Sequence, residues 1–150
     1  MRPEDIEFEA GEVERLTGLT GRQLRLWDNT GLFPASGRTG DGRRRQGTKR
    51  LWSFRQVVVL RAVVKLRGLN ISTQAIRKAF DYLRRAFPEL GGDFAGVTFI
   101  VWGSDLLALP AHEQLPISAL KQQGQRVIAI PIDDVRAEVA EAVRDLRWAG

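Results

Sequence analysis

Arg22, Gln23 and Arg25 crowd one short segment of this chain, and Arg38, Arg43, Arg44, Arg45, Lys49 and Arg50 follow within thirty residues. These side chains suit one kind of chemistry. The guanidinium fork matches the two acceptors on guanine's major-groove edge, and a carboxamide matches the donor and acceptor of adenine. Clustered arginines and lysines neutralise backbone phosphates or enter a minor groove. Residues 18–87 hold sixteen Lys/Arg against three Asp/Glu. Residues 1–87 hold eighteen basic and nine acidic groups, and residues 88–150 hold five and nine. The net charge of +5 therefore hides a basic first part and an acidic remainder. A surface that positive faces a polyanion, and double-stranded DNA is the commonest.

Other chemistries find few residues to carry them. There is no cysteine, which removes disulfides, thiol nucleophiles and thiolate metal sites. The single histidine, His112, stands beside Glu113 in a polar stretch and reads as an ordinary surface residue. No serine or carboxylate has a base partner placed by a motif. The glycines from Gly37 to Gly47 lack the strand-then-helix context of dinucleotide binding. Asp133 and Asp134 open a helix, where carboxylates satisfy free amides and the helix dipole. We expect no catalytic residue, no metal and no cofactor. No apolar run approaches the roughly 20 residues of a membrane span, and the start, Met1-Arg2-Pro3-Glu4-Asp5, is too polar for a signal peptide. A cytoplasmic, nucleoid-associated setting is expected.

Short helices must position the basic residues. Thr20 precedes Gln23 by three, and Ser53 precedes Gln56 by three, which is the reciprocal capping box. Leu19 with Leu24, and Trp52 with Val57, flank these boxes as apolar staples. Ser72 repeats the cap and the staple (Ile71 with Ile76) with Ala75 in place of glutamine. The spacing predicts helices over 9–16, 20–29, 54–69 and 73–87. Pro34 and four glycines exclude a helix over 35–48. That segment reads as an arginine-loaded wing between short strands, or as a basic loop, with 49–52 a strand leading into the next cap. In the second helix Leu24 and Trp27 are expected inward and Arg22, Gln23 and Arg25 outward. In the third, Arg55, Arg61, Lys65 and Arg67 are expected on the solvated side. Trp27, Trp52, Leu60 and Ile76 join Leu24 in the expected core, with flanking of the DNA backbone as the alternative for Trp27.

Taken in order, these landmarks resemble the DNA-binding domain of the MerR family of bacterial regulators over Glu9 to Arg85. Gly11-Glu12-Val13 with Leu16-Thr17-Gly18-Leu19-Thr20 is similar to the family's first helix and turn. Arg22 to Asp28 resembles its recognition helix, and Gly31-Leu32-Phe33-Pro34 the exit from it. Arg50-Leu51-Trp52-Ser53 resembles the end of the first wing, and Leu66 to Ser72 with Gln74 to Arg77 the second helical pair. The resemblance implies a winged helix-turn-helix, a homodimer and sequence-specific binding of duplex DNA for transcription regulation. It also implies a phosphate contact for Arg25 as the alternative to base reading. The family's long dimerisation helix has no counterpart, because Pro88 and Gly91-Gly92 interrupt the chain and no heptad run follows.

The remainder reads as a small sheet and a helix: strands over 97–102, 106–109, 117–120 and 126–130, then a helix from Asp134 to Trp148 capped by Asp133. The expected fold class is α+β, a four-helix winged helix-turn-helix domain over 1–87 followed by a small β-plus-helix domain over 88–150. The second domain is expected to hold no large cavity and to dimerise or dock a partner protein through 97–150. The alternative function is a DNA-binding antitoxin or a phage or plasmid accessory protein whose second half binds a partner. RNA binding and ligand sensing are the remaining alternatives.

Overall fold

The turn between the first two helices is built by three adjacent residues. In the computed structural model, which describes residues 2–30, 33, 35, 37–39, 49–111, 113 and 126–148, helix α1 spans Ala10–Thr17 and helix α2 spans Gly21–Asn29. Thr17 is buried, yet its hydroxyl donates to the Val13 carbonyl at 2.7 Å and accepts from the Leu19 amide at 3.2 Å. Gly18 ends α1 at φ 84°, a left-handed conformation that favours glycine. Thr20 then caps α2. Its hydroxyl accepts from the Gln23 amide at 3.1 Å, and Gln23 Oε1 accepts from the Thr20 amide at 3.0 Å.

The second capping box forms too, between Ser53 and Gln56, and Ser72 caps the fourth helix through the Ala75 amide at 3.0 Å. All three expected staple pairs are buried. A further box between Glu9 and Glu12 opens α1. It uses carboxylates at both positions and was not anticipated. Helix α3 spans Phe54–Gly68 and α4 spans Thr73–Ala86, with Asn70 at φ 66° between them.

The described fold comprises two compact units, residues 1–61 with 138–150, and residues 62–137. The division falls inside α3 and inside the last helix, α5, which spans Ile132–Trp148. The first unit contains a three-stranded antiparallel sheet. Strand β1 (Glu7–Glu9) and strand β2 (Gly37–Thr39) flank the central strand β3 (Lys49–Ser53). Strand β1 escaped the sequence reading because three residues are too few to show a period. Phe8 pairs with Trp52 across β1 and β3, and both are fully buried.

The second unit contains another three-stranded antiparallel sheet. Strand β4 (Thr98–Trp102) lies between β5 (Asp105–Leu109) and β6 (Val127–Pro131). Phe80 of α4 meets Phe94 at 5.1 Å and Phe99 at 5.3 Å between ring centroids. The Arg84 guanidinium lies over the Phe80 and Phe94 rings, at 5.9 and 5.8 Å. Gly96, at φ 79°, has no room for a side chain, since a Cβ there would stand 2.8 Å from Ala111 Cβ. Helix α5 starts at Ile132, two residues before the expected Asp134, and Asp133 lies in its first turn rather than capping it. Asp133 Oδ1 instead accepts from the Gly96 amide at 3.2 Å and from Arg136 at 2.6 Å. The fold is α+β, as expected. The expected strand over 117–120, with Gly31 and His112, lies outside the described residues.

Candidate nucleic-acid interface

Helix α2 divides sharply. Leu24 and Asp28, one turn apart, are buried. Arg22, Gln23, Arg25, Leu26 and Asn29 are exposed. Residues three and four apart share a helix face, so Arg22, Arg25, Leu26 and Asn29 form one outward surface. Neither Arg22 nor Arg25 has an ion pair or hydrogen bond among the described residues. Gln23 is differently placed. It is exposed, but its carbonyl oxygen serves the Thr20 cap. Only its amide hydrogens stay free, so a two-bond contact with adenine needs the cap to open. Trp27, expected in the core, is only half-buried. It packs on Phe33 with ring centroids 5.7 Å apart.

Asp28 is the residue that the sequence reading missed. Its side chain is 4 % exposed. Oδ2 accepts from Arg50 Nε at 2.6 Å, and Oδ1 accepts from the Ala35 amide at 2.8 Å. Arg50 Nη2 also donates to Asn29 Oδ1 at 3.0 Å. A carboxylate at a helix C-terminus opposes the helix dipole, and burial penalises its charge further. Arg50 and the amide offset both. The result joins the end of α2 to the sheet, since Arg50 lies on β3, directly opposite Arg38 of β2. Arg50, expected to face DNA, is instead held by this bond, with 29 % of its side chain exposed.

Strands β2 and β3 pair antiparallel, with Gly37 opposite Leu51 and Thr39 opposite Lys49. This gives the wing its stem. Arg38 and Lys49 stand on that stem by backbone position. Arg43, Arg44 and Arg45 fall outside the described residues.

A second, half-buried set of bonds braces the helix-turn-helix. Arg61 of α3, expected on the solvated side, donates to the Leu16 carbonyl at 2.7 Å and to Glu138 Oε2 at 3.2 Å. The last carbonyls of a helix lack intrahelical donors, and Arg61 supplies one to α1. Arg147 of α5 pairs with Glu12 of α1 at 2.7 Å and lies 5.4 Å from the Phe8 ring centroid. The distal part of α5, which belongs to the first unit, is thus tied to α3 and α1 by two ion pairs.

In the second unit an open cleft of about 580 Å³ runs along α4 and β5, lined by Ala79, Tyr82, Trp102 and Leu107 among others. It is an open groove shared with α4 rather than a cavity enclosed by residues 88–150. Among the described residues no helix is long and apolar enough to cross a membrane, and no His, Asp or Glu side chains gather as a metal site.

A capped helix-turn-helix, a paired wing stem and a cationic outward face on the second helix define a winged helix-turn-helix protein. Its family is also plain: the chain belongs to the MerR HTH family of regulatory proteins, whose profile matches residues 8–83. It is 31% identical over 131 residues to an uncharacterized HTH-type transcriptional regulator of Mycobacterium tuberculosis (strain ATCC 25618 / H37Rv), and equally to one of Mycobacterium bovis. Those alignments cover 87% of this chain and 55% of each relative, so the chain spans about half the length of the curated relatives it matches. It is also 38% identical over 79 residues to the nodulation protein NolA of Bradyrhizobium sp. (strain NC92), which covers 53% of this chain and 31% of that protein.

Proposed function

We propose that the chain is a transcription regulator that binds specific double-stranded DNA sequences as a homodimer in the cytoplasm, at the nucleoid. Helix α2 enters the major groove. Arg22 reads guanine, and Arg25 reads a base or grips a phosphate at the groove edge. Arg38, Arg43, Arg44, Arg45 and Lys49 engage phosphates or the adjacent minor groove from the wing. Gln23 acts first as the cap that fixes the start of α2, and offers DNA its amide hydrogens alone. Arg50 acts through Asp28 by setting the wing stem against the helix. Residues 1–87 carry the DNA contacts, and residues 97–150 dimerise or dock a partner protein. No catalytic step is assigned.

The outward face of α2 carries this reading. Two arginines without an ion pair or hydrogen bond among the described residues share α2 with Asp28, which bonds the wing-stem strand β3, and the HTH-type regulators among the relatives agree with it. The test is binding to duplexes selected from a random library, followed as a function of salt. Replacing Arg43, Arg44 and Arg45 together by alanine is expected to weaken binding to all sequences and to flatten the salt dependence by about 0.9 in slope per lost phosphate contact. An unchanged slope removes the wing from the interface.

A further inference from the structure

Leu26 is the most exposed large apolar side chain among the described residues, at 57%. Its position on α2 is more telling than the exposure alone, because single exposed leucines are common on protein surfaces. Successive helical residues turn by about 100°, so Leu26 lies nearly opposite the buried Leu24. It forms the apex of the outward face, with Arg22 one turn before it and Asn29 one turn after it. The buried stripe of Leu24 and Asp28 fixes this orientation, and the Asp28 bonds to Arg50 and Ala35 hold the helix from rolling. A helix lying in a major groove with cations on its flanks puts its apex side chain nearest the floor. An aliphatic group there has one complementary feature on a base pair, the C5-methyl of thymine.

We infer that Leu26 is a specificity-determining residue that packs on a thymine methyl group in the centre of the contacted half-site. This rests on the DNA-binding reading given above. Leucine offers no donor or acceptor, so it rejects the polar edges of cytosine and guanine by leaving them unsatisfied. It favours thymine by removing two apolar groups from water. Arg22 and Arg25, which both precede Leu26 on the helix, then report on guanines to one side of it.

The experiment uses the full chain and the duplex it selects from a random library. Each thymine is replaced singly by uracil, which removes the methyl and keeps every hydrogen-bonding group. One position is expected to lose about fourfold in affinity, the worth of one buried methyl group. In Leu26→Ala that sensitivity disappears, and reselection loses thymine at the same position. Leu107→Ala, at another exposed leucine in the second unit, keeps the sensitivity. The inference is overturned if no uracil substitution matters in the unaltered chain, or if the effect survives in Leu26→Ala. It is equally overturned if Leu26→Ala changes the molecular mass in solution and weakens all duplexes alike, which makes Leu26 an interface residue between proteins. A chain that binds no duplex at all instead removes the DNA-binding reading, and this inference with it.

Discussion

Both sheets have three antiparallel strands, with the last strand central in the first and the first strand central in the second, and they are held by different forces. In the first unit, β3 presents Trp52 to the core and spends Arg50, two residues earlier, on the Asp28 carboxylate. In the second, β4 buries Phe99, Ile100 and Val101 in succession, and Phe80 packs edge-on with Phe94 and at a tilt with Phe99 beside it. Apolar packing is non-directional and strong in sum. A charge-assisted hydrogen bond is weaker in net terms but fixes angle and distance. The first sheet thus spends stability on fixing the wing stem against the end of α2. The second sheet is held by its apolar packing.

The largest effect expected from this contrast lies in the second unit. Phe80→Ala removes the ring that joins two others, and a buried aromatic truncated to alanine costs about 3–5 kcal/mol. Denaturant unfolding followed by tryptophan fluorescence measures it. A loss under about 1 kcal/mol breaks the contrast, because the aromatic cluster would then not be what holds that sheet.

Arg50→Met comes next. It leaves Asp28 buried, charged and short of a partner, at a cost of about 3 kcal/mol. Asp28→Asn combined with Arg50→Met removes the charge while keeping an oxygen for the Ala35 amide, so most of the stability returns. Selective DNA binding is not expected to return with it, because the direct bond from β3 to the helix is lost and only the Ala35 amide still links the helix end to the wing stem. Recovery of both properties together reduces the pair to a stability element. Loss of one unit of salt slope in Arg50→Met, with selectivity intact, instead makes Arg50 a phosphate ligand.

Much of this arrangement was legible in the sequence, and the missed part has a physical reason. Capping depends on residues three positions apart, so the starts of α2, α3 and α4 could be read locally. Side-chain direction on short elements depends on parity, and there the signal was present but went unused. Leu24 and Asp28 are four apart on one helix and share its buried face. Arg50 and Trp52 are two apart on one strand and share its core face. A buried acid and an inward cation at those positions imply each other. Arg61 was harder. Helix α3 is apolar nearly all round, with Val57, Val58, Val59, Leu60, Ala62 and Val63 all buried, so its pattern shows no polar face. Only the tertiary position of the Leu16 carbonyl explains why an arginine belongs there.

The smallest expected effect concerns Gln23, and it decides between two uses of one side chain. As a cap, Gln23 contributes only an acceptor, so Gln23→Glu keeps the box, because a carboxylate at the third helical position accepts from the Thr20 amide equally well. Gln23→Ala loses it, at about 0.5 kcal/mol, toward the low end of measured cap removals because the Thr20 hydroxyl bond survives. As a base reader, Gln23 contributes its amide hydrogens, which both variants lack. The glutamate also repels phosphates, but that weakens every duplex to a similar degree and leaves site preference alone. Reselection from a random library therefore separates the roles. A cap keeps its preferred sequence in Gln23→Glu, with thermal stability near that of the unaltered chain, whereas a reader relaxes at one base pair in both variants. The oxygen of Gln23 is already held at 3.0 Å by Thr20, so preference is expected to persist in Gln23→Glu, leaving the reading of bases to Arg22, Arg25 and Leu26.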